Sequence, residues 1–136
     1  MKTLKKFCQE NGIDFDRAFD LVLGEGGGIL PQKIGMQGYF AEITDKSLIC
    51  TNEVLNVKRE ILFASFQTAE FGIGNGLLWL QCTVERRPFV FCSARKNWKS
   101  PAAKLLLKKI GEHVKIQGMK EYDGYTGSKF LFYMFK

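Results

Sequence analysis

Short apolar runs separated by turn residues fill the stretch 29–94, and this pattern restricts the fold more than any other feature of the chain. The run 38–44 alternates between the two faces of an extended chain, and Asp45-Lys46 is a turn of hairpin length before the returning run 47–51. The same reasoning predicts a loop over 52–59, extended pieces over 60–71, 77–84 and 89–93, and turns at 72–76 and 85–88. The pattern therefore predicts a meander of strands.

The first 24 residues have helical spacing instead. An apolar stripe begins at Leu4, and Asn11-Gly12 interrupts it. Asp14 is suited to cap a second helix that would end at Gly24. We therefore expect one or two N-terminal helices.

A glycine-rich segment, GEGGG at 24–28, predicts a turn or linker at the point where helical spacing gives way to strand-like runs. The length of 136 residues is typical of one domain. We therefore expect a single domain over 1–136, with a helical extension over 1–28 and the core over 29–136.

A third helix is predicted from its first residues. Ser100 is a preferred N-cap residue, and Pro101 follows at the position where a missing backbone donor costs nothing. The predicted core contains large apolar residues of this helix and of the two preceding strands: Leu78, Leu80, Phe89, Phe91, Leu106 and Ile110. Strand candidates follow at 114–117 and 129–135, and the second, which is aromatic, is expected to be buried against the sheet.

The expected fold class is α+β. We expect a mostly antiparallel, strongly bent sheet or partly open barrel. The C-terminal helix packs on this sheet, and the N-terminal helices precede it.

Two motifs carry a resemblance to a known family. ITDKSLI at 43–49 and EILFASF at 60–66 are followed by a Gly-Asn turn, two strands and a helix. In this order, roughly residues 38–114 resemble the bacterial pleckstrin-homology-like domains of the GRAM type. The resemblance implies a non-catalytic binding domain, and the N-terminal helices and aromatic tail are additions to it. Of the basic cluster that phosphoinositide-binding members place on their first hairpin, only Lys33 lies near the expected position.

The chain is basic, with 20 Lys and Arg against 14 Asp and Glu, a net charge of +6. This balance favours anionic partners, but the cations are scattered, which is typical of a solvated surface. The expected polyanion binding is weak and sensitive to salt. The first residues lack the apolar run of a signal peptide, and no stretch approaches the roughly 20 apolar residues of a membrane span. The expected compartment is the cytoplasm.

No catalytic, cofactor or metal site is expected. The glycine-rich loops at 24–28 and 72–76 do not lead into a helix, as a phosphate loop must. His113 lacks a nucleophile in the sequence around it, and Asp14, Asp16 and Asp20 lack the spacing of a calcium loop. The chain has four cysteines, Cys8, Cys50, Cys82 and Cys92, and they form no C-x-x-C pair. The last three lie inside apolar stretches and are interpreted as core residues.

The candidate binding residues form two basic groups around one predicted hairpin. Arg86 and Arg87 lie at its tip, and the second group precedes the last helix at its opposite end: Arg95, Lys96, Trp98 and Lys99. Trp98 could stack on a base or lie at a membrane interface, but packing beside the helix start is the favoured interpretation.

The expected function is that of a non-catalytic binding or scaffold domain. Its partner would be another protein, a second copy of the chain, or a membrane to which it docks peripherally. The alternative is a nucleic-acid-binding module that uses the basic loop ends and Trp98.

Overall fold

The computed structural model describes residues 2–25, 36–74 and 77–118. In these ranges it has three α-helices: α1 (Leu4–Asn11), α2 (Arg95–Trp98) and α3 (Pro101–Gly111). Single 3₁₀ turns cover Phe15–Arg17 and Phe63–Ser65. The strands are β1 (Ala18–Glu25), β2 (Met36–Ile43), β3 (Ser47–Asn52), β4 (Val57–Leu62), β5 (Phe66–Gly74), β6 (Leu77–Val84), β7 (Arg87–Ala94) and β8 (Ile116–Gln117).

All eight described strands belong to one sheet in the order β4-β3-β2-β1-β7-β6-β5-β8. Strands β1 to β4 form one antiparallel meander and β5 to β7 a second, and the two are joined where β1 pairs with β7. Strand β8 is parallel to β5. The described sheet is open, with β4 and β8 at its edges, which confirms an α+β fold with a mostly antiparallel sheet.

The sheet curves toward its inner face. The guanidinium of Arg59 on β4 lies 6.0 Å from the ring centroid of Phe89 on β7. Four strand spacings separate β4 from β7 along the sheet, a distance of about 19 Å if the sheet were flat. The contact therefore requires the inner face to curl around the core.

Helix α3 fills this curved inner face. Ser100 begins it as predicted, because its side-chain oxygen accepts a hydrogen bond from the backbone N–H of Ala103 at 3.2 Å. The six core residues predicted from the sequence are all buried. The helix contributes this buried set: Ala102, Ala103, Leu106, Leu107 and Ile110.

Trp98 is at the centre of the same core and is fully buried. Its indole N–H donates a hydrogen bond to the backbone carbonyl of Leu78 at 2.9 Å. The rings of Phe19 and Phe71 each pack edge-on against it at 5.1 Å between centroids. The short helix α2, which the sequence analysis did not predict, directs this ring inward from the end of β7.

The predicted second N-terminal helix is wrong. Residues 18–25 form β1, an interior strand paired on both sides, so this part of the predicted helical extension is a strand. The apolar residues of this segment satisfy either periodicity, and as a strand it turns Phe19 and Leu21 toward the core. Asp14 does cap, but its carboxylate accepts from the backbone N–H of Asp16 and holds only one 3₁₀ turn.

Three other boundaries differ from the sequence predictions. The loop predicted over 52–59 is shorter, since β4 begins at Val57, and the turn predicted over 85–88 involves only residues 85–86. Strand β5 continues into the turn predicted over 72–76. The aromatic segment 129–135, Lys33 and most of the glycine-rich segment 24–28 lie outside the described residues.

The Ser100 cap gives a direct test of the helix start. Ser100→Ala should lower the free energy of unfolding by about 1 kcal/mol, because the backbone N–H of Ala103 loses its acceptor. Lys104→Ala, an exposed change in the same helix, should stay within about 0.5 kcal/mol of wild type. Urea denaturation followed by circular dichroism measures both, and equal unfolding curves for all three proteins would contradict the assigned cap.

Candidate functional site: a groove on the outer face

The outer face of the sheet, opposite α3, carries a continuous row of side chains across four strands. The pairing register places Trp79 beside Cys92, Cys92 beside Val22, and Val22 beside Gly38. Cys92 and Trp79 are buried with Val90 in an outer-face cluster, and Val22 packs against them. The sheet therefore has apolar side chains on both faces near its centre.

Helix α1 covers one end of this outer face. The ring of Phe7 stacks on that of Phe40 at 4.6 Å between centroids, and Cys8 and Ala18 are buried in the same small cluster. Gly12, with φ of 65°, ends the helix in the left-handed conformation, as its sequence position predicts. The α1 packing leaves the neighbouring outer surface of β1, β2 and β7 to form a depression.

This depression, which we call the outer groove, has a volume of about 830 Å³. Its floor includes Val22, Gly38, Phe40 and Cys92, and the start of α1 and the β3–β4 turn stand beside it. Gly38 is exposed, and a Cβ atom built on it would meet no atom within 4 Å. The absent side chain leaves space directly beside Val22.

The β3–β4 turn places Val54 at the edge of the groove, and Leu55 follows it in the turn. The buried Asn52 accepts a hydrogen bond from the backbone N–H of Leu55 at 3.0 Å, and Asn56 adopts a left-handed φ of 55°. Val54 at the tip is 93% exposed and Leu55 is 52% exposed. A turn fixed by a buried side-chain hydrogen bond thus presents two apolar residues to solvent.

Ion pairs connect this turn to the start of α1. The ammonium of Lys2 lies 2.7 Å from a carboxylate oxygen of Glu53 and also pairs with Glu10. Both carboxylates raise the pKa of Lys2 and keep it charged. These surface pairs add little stability, but they hold two sides of the groove together.

Three polar residues of the groove form a short hydrogen-bonded chain. Asn97 donates to the Ser93 hydroxyl at 2.9 Å, and that hydroxyl donates to the backbone carbonyl of Asp20 at 2.7 Å. Asp20 as a whole is exposed, yet partial burial of its carboxyl raises its pKa above the usual range. The groove therefore disfavours negative charge at this point.

The cysteines do not supply a nucleophile. All four are free and buried, and burial raises the pKa of Cys92 to about 11 and that of Cys50 to about 12. A thiol with a raised pKa stays protonated near neutral pH and reacts slowly. Within residues 2–25, 36–74 and 77–118, no cluster of three His, Cys, Asp or Glu residues could hold a metal ion.

A second groove, of about 730 Å³, lies near the β5–β8 edge and is more polar. Its walls include Thr68 and Thr83, whose hydroxyls are 2.9 Å apart, and the exposed His113 and Lys115. No hydrogen bond of the described structure joins His113 to a Ser, Thr or Cys side chain, so its geometry offers no activated nucleophile.

The structure separates the two predicted basic groups. Arg86 and Arg87 are exposed at the β6–β7 turn, where Glu85 and Arg86 have left-handed φ values of 52° and 67°. The Arg86 backbone N–H donates to the side-chain oxygen of Gln67 at 2.6 Å, which holds this turn on β5.

The second basic group lies at the other end of the same hairpin. Lys96 and Lys99 are exposed there, and the Arg95 backbone begins α2. Trp98 is enclosed in the core and presents no ring face for stacking on a base. The packing role that the sequence favoured for Trp98 is the one observed. The predicted residues therefore do not form one site.

Sequence reasoning missed the outer groove, because no residue type in it is unusual. The one available indication was the Val54-Leu55 pair inside a polar loop.

In comparisons with known proteins, no family model and no curated protein matches this chain. In the described ranges, no helix combines the length and the apolar character that crossing a membrane requires.

The raised pKa of Asp20 predicts a pH dependence. The folded state binds the proton more tightly than the unfolded chain, whose Asp pKa is about 3.9. Ionisation of Asp20 therefore lowers the free energy of unfolding above the pKa of the folded state. It has no effect below the pKa of the unfolded chain. Asp20→Asn should be more stable than wild type at pH 7, and the difference should shrink toward pH 3. Urea midpoints across this range measure it, and a difference that grows on acidification would contradict the assignment.

Proposed function

We propose that this chain is a non-catalytic binding domain that holds an apolar segment of a partner protein in the outer groove. The observation that carries the proposal is the groove itself, whose floor of Val22, Phe40 and Cys92 is apolar and includes an unfilled position at Gly38. Apolar concave surfaces with a few polar groups are the usual form of a binding site. A protein segment supplies the apolar side chains that such a floor accepts.

The β3–β4 turn supports a protein partner. Exposed apolar side chains beside a groove are typical of interaction surfaces. Val54 is 93% exposed, and contact with water does not stabilise its apolar side chain. The Asn52 hydrogen bond keeps the turn in one conformation before a partner binds. A preformed turn reduces the conformational entropy that binding must overcome.

The proposed architecture is that of a pleckstrin-homology-like module. Two antiparallel meanders followed by a capped helix on the inner face agree with what the sequence resemblance implies. In this proposal β1 belongs to the module as its first strand, which makes α1 the addition to it. The buried thiols and the absence of an activated nucleophile around His113 support a non-catalytic role.

The groove test uses two glycines that both have room for a side chain. Gly38→Phe should fill the outer groove without loss of stability, because a Cβ there meets open space and a strand tolerates an aromatic residue. Gly111→Phe, at the exposed end of α3, is the matched control. A peptide selected on the wild-type protein from a displayed random library, labelled with fluorescein, is the probe.

The selected peptide should be rich in apolar residues and should bind Gly38→Phe at least about tenfold more weakly than wild type, a difference of about 1.4 kcal/mol. Gly111→Phe should bind as wild type does. Fluorescence anisotropy measures the affinities, and circular dichroism checks that both variants fold. Equal binding to all three proteins, or failure to select any apolar peptide, would rule out the groove as the site.

A separate prediction concerns polyanions. The two basic ends of the β6–β7 hairpin are too far apart to act as one site, so binding should come from net charge alone. We expect weak association with anionic liposomes and with single- and double-stranded nucleic acid at low salt. We expect almost no association at about 0.15 M salt, because salt cations compete with the protein for each phosphate. Salt-resistant binding to one of these, abolished by Arg86→Ala with Arg87→Ala, would instead favour a membrane or nucleic-acid role.

A further inference from the structure

The open edge at β4 has the features of an interface with a second copy of the chain. Strand β4 ends the sheet, and in the described part of the chain it pairs only with β3. An edge strand of six residues exposes a row of backbone N–H and C=O groups that another strand can complete. Natural proteins protect such edges with charged side chains, lysine above all, or with proline, so the arrangement of the charges on β4 decides whether the edge stays single or pairs in one register.

The charges on β4 complement a second β4. Lys58 and Glu60 both point to the outer face, both are exposed, and they are separated by one residue. When two copies pair antiparallel about a twofold axis at Arg59, Lys58 of each copy lies opposite Glu60 of the other. Moving the axis by one residue would place Lys58 opposite Lys58, or Glu60 opposite Glu60. Charge alone therefore selects one register, because opposite charges across strands attract and like charges repel.

The apolar residues around β4 fit the same register. Leu62 is 49% exposed at the end of β4, and Leu55 is 52% exposed in the turn before its start. On the inner face, antiparallel pairing about Arg59 places Val57 opposite Ile61 of the second copy. Leu62 of each copy then lies just beyond the other copy's Val57, beside the start of its β3–β4 turn, and loses solvent exposure on pairing.

One pair opposes this arrangement, since the two Arg59 residues meet at the axis. Each Arg59 side chain is on the inner face, and its guanidinium lies 6.0 Å from the Phe89 ring of its own chain. That contact directs the charge across the core and away from the edge. The opposed Arg59 pair therefore repels less than exposed like charges would.

We infer that two copies of this chain pair through their β4 edges in an antiparallel register centred on Arg59, which joins their sheets into one. The β4 edge is a different surface from the outer groove. The inference is therefore independent of the proposed function.

The experiment is a charge exchange on the full chain. Sedimentation equilibrium from about 1 µM to about 1 mM covers the range of weak to moderate association. Wild type should dimerise in this range. Lys58→Glu and Glu60→Lys should each weaken the dimer about tenfold or more, because twofold symmetry turns two attractive pairs into two repulsive ones. The double variant K58E/E60K should recover wild-type association, because it exchanges the charges and keeps their pairing.

Matched controls separate pairing from net charge and from folding. Lys104→Glu, on α3, and Glu112→Lys, directly after α3, make the same charge changes at exposed positions. Both variants should dimerise as wild type does. Glu60 accepts a hydrogen bond from the Ser47 hydroxyl at 2.8 Å, so Ser47→Ala tests the loss of that bond alone and should also leave dimerisation unchanged. Gly38→Phe should dimerise normally, which distinguishes this inference from the groove proposal.

Two results would overturn the inference. Wild type could remain monomeric over the whole concentration range, in which case Lys58 and Glu60 protect the edge from association. Alternatively, the double variant could associate as weakly as the single variants, which would exclude the register centred on Arg59.

Discussion

The pairing of β1 with β7 is the interaction on which the rest of the structure depends. It joins residues 22–25 to residues 89–92, which are distant in the chain, and so connects two meanders that would otherwise be separate sheets. Once connected, the two meanders form one curved inner face, and α3 can bury its apolar side against it.

The same connection builds the outer groove. Val22 and Cys92 are neighbours only because β1 and β7 pair, and Gly38 is beside Val22 because β2 pairs on the other side of β1. Helix α1 packs beside the groove through the Phe7–Phe40 stack and forms one of its sides. A single strand, β1, therefore has apolar neighbours on both of its faces, toward the core through Phe19 and Leu21 and toward the groove through Val22.

Buried polar groups are satisfied throughout the described structure, which limits where chemistry could occur. The Trp98 indole and the Asn52 amide have hydrogen-bond partners, and no buried side-chain nitrogen or oxygen of the described residues lacks one. Trp98 stabilises the junction of α2, β1, β5 and β6, which explains why a tryptophan between two lysines is not a surface residue. Among the described residues, four large apolar side chains are exposed: Phe15, Val54, Leu55 and Leu62.

The sequence by itself determined the elements whose causes are local. The β2–β3 hairpin, strand β6, the end of α1 at Gly12 and the start of α3 at Ser100 all follow from neighbouring residues, because turn geometry and helix capping act within a few positions. Burial of the six predicted core residues followed from their apolar character.

Only the tertiary structure decided the state of residues 18–25, since their apolar pattern fits both a helix and a strand. Partners on β2 and β7, far away in the chain, made them a strand. The burial of Trp98 and the groove beside Gly38 were decided in the same way, because each depends on which distant side chains the sheet brings together, and a sequence pattern does not record those neighbours.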